Sequence, residues 1–459
     1  MKSITQTVKE WNSISQTISK FMKKFYLGSL LNSCNANKSK GYRPFQVFEY
    51  LISLIFGDRS MYMSYLTDNR APIFKKDTVY RLLNNPGIHW QKLTALLSAK
   101  IIKEDLVPLT SEDRKQVFII DDTLYERARS KQVELLSRVY DHVEHRYAKG
   151  FRLLTLGWSD GNSFVPVVGS LLASEEDKNV LSPANKGFDK RTLASKRRAQ
   201  ARRKATQVML ELLDTAIKAG IDAQYVLFDT WFCSPSSLLA LRLKGLHAIA
   251  MVKKTPKAYY LFQGKPQSVM SIFRSQKKRR GRSKYLLSVE AEAQKDGKTI
   301  PVKFVFIRNR NNKKDYLVLV STDTTLSENE IIQLYGRRWS IEVFFKTTKS
   351  YLSLGKLSKG LSYDAQTAHV AITFSAYMLL ALEHRHQVDE RSLGELFYLC
   401  CDEMDDITFQ ESLNLILEAM IASVETVLGL SKNQVSSLVE HFVGILPESL
   451  QNRLKIAVL

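Results

Sequence analysis

Cysteine is scarce in this chain, and the few thiols are not arranged for a metal or a disulfide framework. The 459 residues include four, at Cys34, Cys233, Cys400 and Cys401. No two are spaced as C-x-x-C, so neither a zinc ribbon nor a disulfide-stabilised secreted domain is indicated. Histidine is also rare, and His384 and His386 would point to different faces of a helix. We therefore expect reduced, structural cysteines and no zinc site.

Long hydrophobic runs are missing as well. No stretch approaches the roughly 18 apolar residues of a membrane-spanning helix. The nearest, residues 370–382, is typical of a buried helix. The first residues, Met-Lys-Ser-Ile-Thr-Gln, contain no apolar signal region. These absences predict a cytoplasmic protein with no membrane partner.

Acidic residues are too few to balance the basic ones. Lys and Arg number 67 against 46 Asp and Glu, which gives a formal net charge of +21 and a pI near 9.6. The basic residues fall in several separate runs, and the chain is long enough for two or three domains. A polyanion is the natural partner of such a chain, and this pattern favours nucleic acid.

Residues 1–105 are predicted to be mostly helical. An apolar periodic stretch over 44–66, a polar loop and a short basic helix over 76–84 follow the plan of a helix-turn-helix DNA reader. The residues available for groove or phosphate contacts are Lys75, Lys76, Tyr80 and Arg81. A plain helical hairpin fits the same pattern, so DNA contact here is inferred mainly from the overall charge.

Two apolar strand-like runs each lead into aspartate. Residues 117–120 run into Asp121 and Asp122, and residues 225–228 run into Asp229. Between them, residues 151–168 are predicted to form a hairpin that turns at Asp160-Gly161. Strands alternating with helices in this way predict an α/β fold with mixed strand directions, in which ligand sites lie beyond strand ends.

A long basic helix is predicted over residues 190–213. It carries Lys196, Arg197, Arg198, Arg202, Arg203 and Lys204. This face is interpreted either as a contact for the phosphate backbone of DNA or as a merely solvated surface.

Residues 254–325 change to an all-β, basic pattern, which predicts a small antiparallel subdomain inserted into the α/β core. Its run 277–282 is expected to be a mobile loop that becomes ordered on DNA, or simply a charged loop. The chain then returns to helix at the capping-box sequence 327–330. The last helical segments contain no catalytic cluster and suit packing or self-association.

The stretch 335–349 contains the most informative pattern. On a helix, its four polar residues fall within about 60° of arc, because their offsets of three, seven and fourteen return to one face. These residues are Tyr335, Arg338, Glu342 and Lys349. A carboxylate between two cations suits a metal-bound phosphate, with Glu342 as metal ligand and the cations on phosphate oxygens.

The helix over 335–349 is not expected to be uniform. Phe344 lies nearly opposite the polar face and is predicted to anchor the helix inward. Gly336 and Ser340 leave open a break near Arg338. If the helix breaks there, Glu342 and Lys349 still share a face, since they are seven residues apart.

Three carboxylates from separate elements are expected to converge: Asp122, Asp229 and Glu342. Without a metal they would repel one another, whereas with Mg²⁺ or Mn²⁺ they form a cage of hard oxygen ligands. Two ions about 4 Å apart would suit phosphodiester cleavage and strand transfer. Asp121 is a competing ligand; alternation along the strand lets one of the two neighbours face the site, and Thr123 favours Asp122.

The spacing of Tyr335, Arg338, Glu342 and Lys349 matches the Tyr-Arg-Glu-Lys signature of the DDE transposases of the insertion-sequence four family. The residues between Arg338 and Glu342, Trp-Ser-Ile, also resemble those usually found between these positions of the signature. Asp122, with Thr123 after it, resembles the first catalytic aspartate of the family.

Asp229 resembles the second catalytic aspartate of that family. The resemblance extends over about residues 75–385, and residues 80–86 are similar to the end-binding helix of related bacterial transposases. The last 75 or so residues resemble nothing that we can name.

The resemblance implies an RNase H-like core with a β-subdomain inserted before the helix of the glutamate. It implies two Mg²⁺ ions, with Mn²⁺ as a substitute, held by Asp122, Asp229 and Glu342. It also implies that Tyr335, Arg338 and Lys349 hold phosphates near the cleaved DNA end. Relatives stack a flipped base on an aromatic residue, for which the candidates here are Trp231 and Trp339.

The activity implied is cut-and-paste transposition of an insertion sequence, through a hairpin intermediate in related members. The implied partners are double-stranded DNA, as terminal inverted repeats and as target, and a second copy of the chain in the synaptic complex. The implied location is the bacterial cytoplasm, in association with the nucleoid. The predicted domains are 1–105 for DNA-end binding, 106–253 and 326–385 for the catalytic core, 254–325 for the inserted subdomain and 386–459 for a C-terminal helical, dimerising region.

Two other functions compete with this one. A regulator derived from a transposase would bind inverted repeats without cutting them, but it would have no use for three converging acids. Another metal nuclease of RNase H type, such as a resolvase, is disfavoured by the spacing of the Tyr-Arg-Glu-Lys signature.

Overall fold

The computed structural model describes residues 15–56, 61, 65, 72–111, 114–141, 145–280, 283–309, 315–356, 360–387, 434, 437 and 441. The chain divides into two compact units, Met1–Ser392 and Leu393–Leu459. The helices and strands given below belong to the first unit. The predicted C-terminal helical region lies almost wholly outside the described residues, as do Cys400 and Cys401.

One mixed sheet of eleven strands organises the first unit. The strands are β1 (Val117–Glu126), β2 (Ser137–Asp141), β3 (Arg146–Ser159), β4 (Phe164–Leu172), β5 (Tyr225–Phe228), β6 (His247–Met251), β7 (Tyr260–Phe262), β8 (Lys265–Gln267), β9 (Tyr285–Lys295), β10 (Lys298–Arg308) and β11 (Tyr316–Ser321). Their order is β2-β3-β1-β5-β6-β11-β10-β9-β7-β8, and β4 pairs with β3 off this path. The predicted mixed α/β class is confirmed.

The centre of the sheet has the order β4-β3-β1-β5-β6. Strands β1, β5 and β6 run parallel, whereas β3 is antiparallel to β1 and to β4. The predicted hairpin is therefore confirmed, since β3 and β4 are joined across the turn that follows Ser159. These central strands are mostly buried, as expected of strands that are covered on both faces, so they form the core of the unit.

Strand β1 is longer than the sequence predicts. The sequence predicts that it ends at Asp121 and Asp122, but it continues to Glu126. The cause is β3, which pairs with β1 along its whole length and so supplies hydrogen bonds past the aspartates. Strand β5 pairs with β1 only at 117–119, so the carboxylates lie beyond the end of one neighbour and alongside the other.

The antiparallel strands after β6 extend the same sheet. Strand β11 pairs with β6, and β10, β9, β7 and β8 follow outward. The region is not all-β as predicted, because a helix spans Val269–Ser275 and is capped by Ser268. In the predicted loop 277–282, residues 281 and 282 lie outside the described residues, and the backbone N–H of Arg279 donates to Leu286 O at 2.7 Å.

The labelled helices are α1 (Leu27–Ser33), α2 (Pro44–Phe56), α3 (Lys76–Leu83), α4 (Trp90–Ile101), α5 (Leu193–Ala201), α6 (Ala205–Lys218), α7 (Pro235–Leu243), α8 (Val269–Ser275), α9 (Glu328–Gly336), α10 (Trp339–Ser350) and α11 (Tyr363–Gln387). The single helix predicted over 190–213 is wrong. Arg202 leaves helical geometry and Lys204 is extended at ψ 134°, which separates α5 from α6.

Helix α11 is the central helix of the core. By length and mean hydropathy its segment Tyr363–Glu383 is long and apolar enough to cross a membrane, but 83% of that window is buried inside the protein. Helices α2 and α4 and strand β4 pack against it. The predicted buried helix over 370–382 is therefore confirmed, within a longer one.

Candidate active site

Three aspartates meet at one edge of the central sheet. Asp121 and Asp122 lie in β1 beyond the last residue that pairs with β5, and Asp229 directly follows β5. Since β1 and β5 are parallel neighbours, these positions are brought together at the same end of the two strands. The mutual effects on pKa show this proximity: the charge of Asp229 raises the pKa of Asp121, and that of Asp122 raises the pKa of Asp229.

Burial and the closeness of the three carboxylates disfavour the charged forms of Asp121 and Asp229. Burial raises the pKa of Asp121 to about 7, the neighbouring aspartates add to the rise, and Arg338 opposes it. Burial also raises the pKa of Asp229, although the backbone N–H of Trp231 donates to its Oδ1 at 3.0 Å. A cation placed here would relieve both shifts, because the charged form of each carboxylate would gain a partner.

Asp121 and Asp122 face in opposite directions, as alternation along a strand requires. Asp121 accepts a hydrogen bond from Arg338 at 2.7 Å, and Thr123, two residues on, accepts one from Lys349 at 2.6 Å. This face of β1 is therefore turned towards α10. Asp122 is paired with Arg152 of β3. In the sequence, Thr123 favours Asp122 over Asp121 as the metal ligand. In the structure, the side chain of Thr123 lies on the same face of β1 as that of Asp121.

Arg338 bridges two carboxylates. It lies in the break between α9 and α10, where Ser340 Oγ donates to the carbonyl of Arg337 at 2.8 Å. One guanidinium nitrogen binds Asp121 and another binds Glu342, and the side chain is only 17% exposed. The break that Gly336 and Ser340 leave open is therefore present, and it places Arg338 between the strand and the helix.

The other signature residues surround this bridge. Tyr335 has its ring centroid 5.9 Å from the guanidinium carbon of Arg338, and burial raises its pKa. Burial lowers the pKa of Lys349, against the attraction of Asp141 and Glu126. Phe344 is fully buried against Phe164, Phe374 and Tyr377, which confirms the predicted inward anchor.

The chemistry of these ligands suits a hard divalent ion, but the side chains have other partners. No group of three or more His, Cys, Asp or Glu in the described part of the chain is gathered closely enough to hold a metal. The reason is visible: Glu342 is bound to Arg338, and Asp122 to Arg152. The carboxylate oxygens fit Mg²⁺ or Mn²⁺, provided that the two arginines release them.

Arg152 is the residue at this site that sequence reasoning missed. It lies in β3 between fully buried Phe151 and Leu153 and was interpreted only as part of a hairpin. Its guanidinium carbon lies 5.1 Å from the ring centroid of Trp231. The available signal was a single arginine inside an apolar strand, where an unpaired charge would be costly.

A cavity of about 550 Å³ opens beside Asp122. Its lining residues are Asp122, Thr123, Leu124, Glu126, Tyr140, Asp141, Arg152, Lys349, Ser350, Leu354, Gly355 and Lys356. It therefore contains three carboxylates, Asp122 among them, together with the cations Arg152, Lys349 and Lys356. These cations could bind a phosphate of a DNA strand once a metal ion neutralised Asp122.

The basic face predicted over residues 190–213 forms ion pairs within the protein at four of its six cations. Arg198 is buried and binds both Glu134 and Asp364, and Arg197 also binds Asp364. Arg202 pairs with Asp177, and Arg203 pairs with Glu211. Of the six cations, four are therefore in ion pairs within the protein, and Arg198 is too buried to reach DNA. For Lys196, Arg203 and Lys204, which are exposed, phosphate contact and a solvated surface both stay predictions.

The predicted N-terminal DNA contacts lie on one outward face of α3. Lys76, Tyr80 and Arg81 are exposed, whereas Val79 and Leu82 are buried. Helix α3 is therefore amphipathic, and its basic and aromatic side chains lie at the surface. Much of the segment between α2 and α3 lies outside the described residues.

Both candidate stacking residues are accessible. Trp231 is 51% exposed beside the aspartate cluster, and Trp339 is 47% exposed at the start of α10. Trp231 contacts a site residue, since Arg152 lies over its ring.

Comparison with known proteins identifies the family. A cryo-EM structure of a piggyBac transposase synaptic complex with hairpin DNA is similar over 83% of this chain and 78% of that chain, with a TM-score of 0.40 and 12% identity. No curated protein sequence matches significantly. The family model of the DDE superfamily endonucleases matches residues 63–305, just over half of the chain, including Asp122 and Asp229. The chain therefore belongs to the DDE superfamily of endonucleases.

Proposed function

We propose that this protein is a DNA transposase that cuts an insertion sequence from its flanking DNA and joins it to a target. One observation carries the proposal: three aspartates on two parallel neighbouring strands lie beside a helix whose Glu342 is linked to one of them, Asp121, through Arg338. In a DDE endonuclease, such a set of acids is expected to hold divalent metal. The charge of +21 suits a DNA substrate.

The core is proposed to be RNase H-like. The order β4-β3-β1-β5-β6, with β3 antiparallel and the last two strands parallel to β1, supports this assignment. The strands β7 to β11 would then be the insertion before the helix of the glutamate. The proposed domains are 1–105, 106–253 with 326–385, 254–325 and 386–459.

Asp122, Asp229 and Glu342 are proposed as the metal ligands of the insertion-sequence four type of site, with two Mg²⁺ ions or Mn²⁺ in their place. Asp121, and not Asp122, lies on the face of β1 that is turned towards α10, so Asp121 is the competing ligand. Metal ions bound there would supply an activated water or 3′-hydroxyl and would stabilise the leaving oxygen of the phosphodiester. Glu342 must first leave Arg338. The guanidinium of Arg338, beside Tyr335, is then available to a phosphate at the cleaved end.

The DNA contacts are proposed on both sides of this centre. Lys349 lies near Asp122 and would hold a second phosphate, and the exposed face of α3 with Lys76, Tyr80 and Arg81 would bind the terminal inverted repeat. Two ends must be brought together for excision, so a homodimer is proposed for the synaptic complex. We also propose a hairpin intermediate and a bacterial, nucleoid-associated location.

Metal dependence separates this function from that of a DNA-binding regulator. The protein is incubated with linear DNA that carries both flanking inverted repeats, with Mg²⁺ or with EDTA. We expect binding in both conditions and cleavage at the repeat ends only with Mg²⁺. A DNA of the same length with scrambled ends is the control. Binding without any Mg²⁺-dependent nicking would establish the regulator and refute the enzyme.

The two adjacent aspartates are expected to differ in their effects. Asp122→Asn should abolish cleavage and weaken Mn²⁺ binding by at least about tenfold, because it removes a ligand. Asp121→Asn should keep Mn²⁺ binding and weaken strand transfer, because it removes the carboxylate that positions Arg338. Mn²⁺ titration and a joining assay with pre-cut ends measure the two effects. The reverse pattern would assign the metal to Asp121.

A further inference from the structure

Arg152 and Asp122 form an ion pair that depends on the pairing of β1 and β3. Arg152 lies opposite Leu124, and Asp122 lies two residues from Leu124, so both side chains are on one face of the sheet. The side chains are 21% and 12% exposed. At this depth neither charge is easily left without a partner.

Trp231 keeps Arg152 in place independently of Asp122. The guanidinium lies over the indole ring at 5.1 Å, and the backbone N–H of Trp231 donates to Asp229. Arg152 is thereby connected to two aspartates: to Asp122 by the ion pair, and to Asp229 through Trp231. A guanidinium stacked on an aromatic ring stays ordered when its anion changes.

The space beside Arg152 suits a phosphate. Arg152 and Lys349 line the same cavity as Asp122, and the exposed face of Trp231 lies next to the site. In the proposed reaction Asp122 becomes a metal ligand, so its negative charge is no longer available to Arg152. The partly buried guanidinium then lacks its anion, and the DNA backbone supplies another.

We propose that Arg152 is a positioning residue that couples metal loading to DNA binding: it neutralises Asp122 in the metal-free protein and binds a DNA phosphate once Asp122 holds metal. This inference rests on the proposed function and assigns a role to a residue outside the Tyr-Arg-Glu-Lys signature. If this is right, removing Arg152 has opposite effects on the two affinities. The affinity for metal rises, because Arg152 competes with the metal for Asp122, and the affinity for DNA falls, because Arg152 attracts the phosphate.

Arg152→Gln tests the coupling without any need for cleavage. The Mn²⁺ affinity of the DNA-free protein is measured by electron paramagnetic resonance, and the affinity for repeat-end DNA by fluorescence anisotropy in Ca²⁺ or in EDTA. We expect Mn²⁺ to bind several-fold more tightly to the variant than to the wild type. We expect DNA affinity to fall about tenfold in Ca²⁺ and to stay unchanged in EDTA, where Arg152 is paired with Asp122.

Arg138→Gln is the matched control. It removes the same charge from an exposed position on the neighbouring strand β2 and should change Mn²⁺ affinity little. Arg152→Lys keeps the charge in case the Gln variant does not fold, and should keep wild-type Mn²⁺ affinity with an intermediate loss of DNA affinity in Ca²⁺.

The outcomes separate this inference from the function on which it rests. If wild-type protein binds no Mn²⁺, the proposed function fails. If it binds Mn²⁺ but Arg152→Gln weakens both ligands, or weakens DNA equally in Ca²⁺ and EDTA, Arg152 is only a structural partner of Asp122 and the coupling is refuted.

Discussion

Glu342→Gln is expected to bind repeat-end DNA as tightly as the wild type and to cleave it at least about 100-fold more slowly, because loss of a metal ligand costs more than loss of a residue that only orients one. Glutamine has nearly the same volume and still offers an oxygen to Arg338, so α10 should stay packed through Phe344. The substitution therefore changes the charge at the site and little else. Gel assays of binding and of nicking measure the two quantities on the same DNA.

The control for this variant is Glu292→Gln, which removes the same charge from an exposed position on β9. It should cleave at the wild-type rate. Unchanged cleavage by Glu342→Gln would show that another acid completes the site. A loss of both binding and cleavage would instead show that Glu342 supports the fold around Arg338.

The sequence predicted the parts of this site that depend on local pattern. The strand over 225–228 and the hairpin of β3 and β4 are confirmed, and the break left open near Arg338 is present, because each is specified by neighbouring residues: an apolar run, a turn, or glycine and serine within a helix. The inward position of Phe344 follows from helical periodicity in the same way. Such features need no knowledge of distant contacts.

The parts that failed depend on partners far away in the chain. The continuation of β1 past Asp122 depends on pairing with β3, and the residues of β1 alone do not predict it. Arg152 looked like one more strand residue until Asp122 and Trp231 were placed next to it. Composition predicts a basic surface, but it does not say which cations are already neutralised.

Arg198 is the clearest case of such a cation, and its removal is expected to have the largest effect on stability. Its guanidinium binds Glu134 and Asp364, and all three side chains are at most 10% exposed. Arg198→Met should lower the free energy of unfolding by about 3–5 kcal/mol, because it leaves a buried carboxylate without its cation. Arg202→Met is the matched control just beyond the end of the same helix: its partner Asp177 is 97% exposed, so the loss should be about 0–1 kcal/mol.

The pH dependence of this loss identifies its cause. Burial alone would raise the pKa of Glu134, but hydrogen bonds from Arg198, Tyr363 and Asn185 hold it below its ordinary value of 4.5. A carboxyl group with a lowered pKa stabilises the fold above its ordinary pKa and loses that contribution as the pH falls through its folded pKa. Without Arg198, burial raises the pKa of Glu134. The deficit of Arg198→Met should therefore be full at pH 7 and shrink as the pH falls from the raised pKa of Glu134 in the variant towards its lowered pKa in the wild type. Thermal unfolding of both variants and the wild type from pH 7 to pH 4 measures this, and a deficit independent of pH would attribute the loss to packing of the arginine stem rather than to the buried charge.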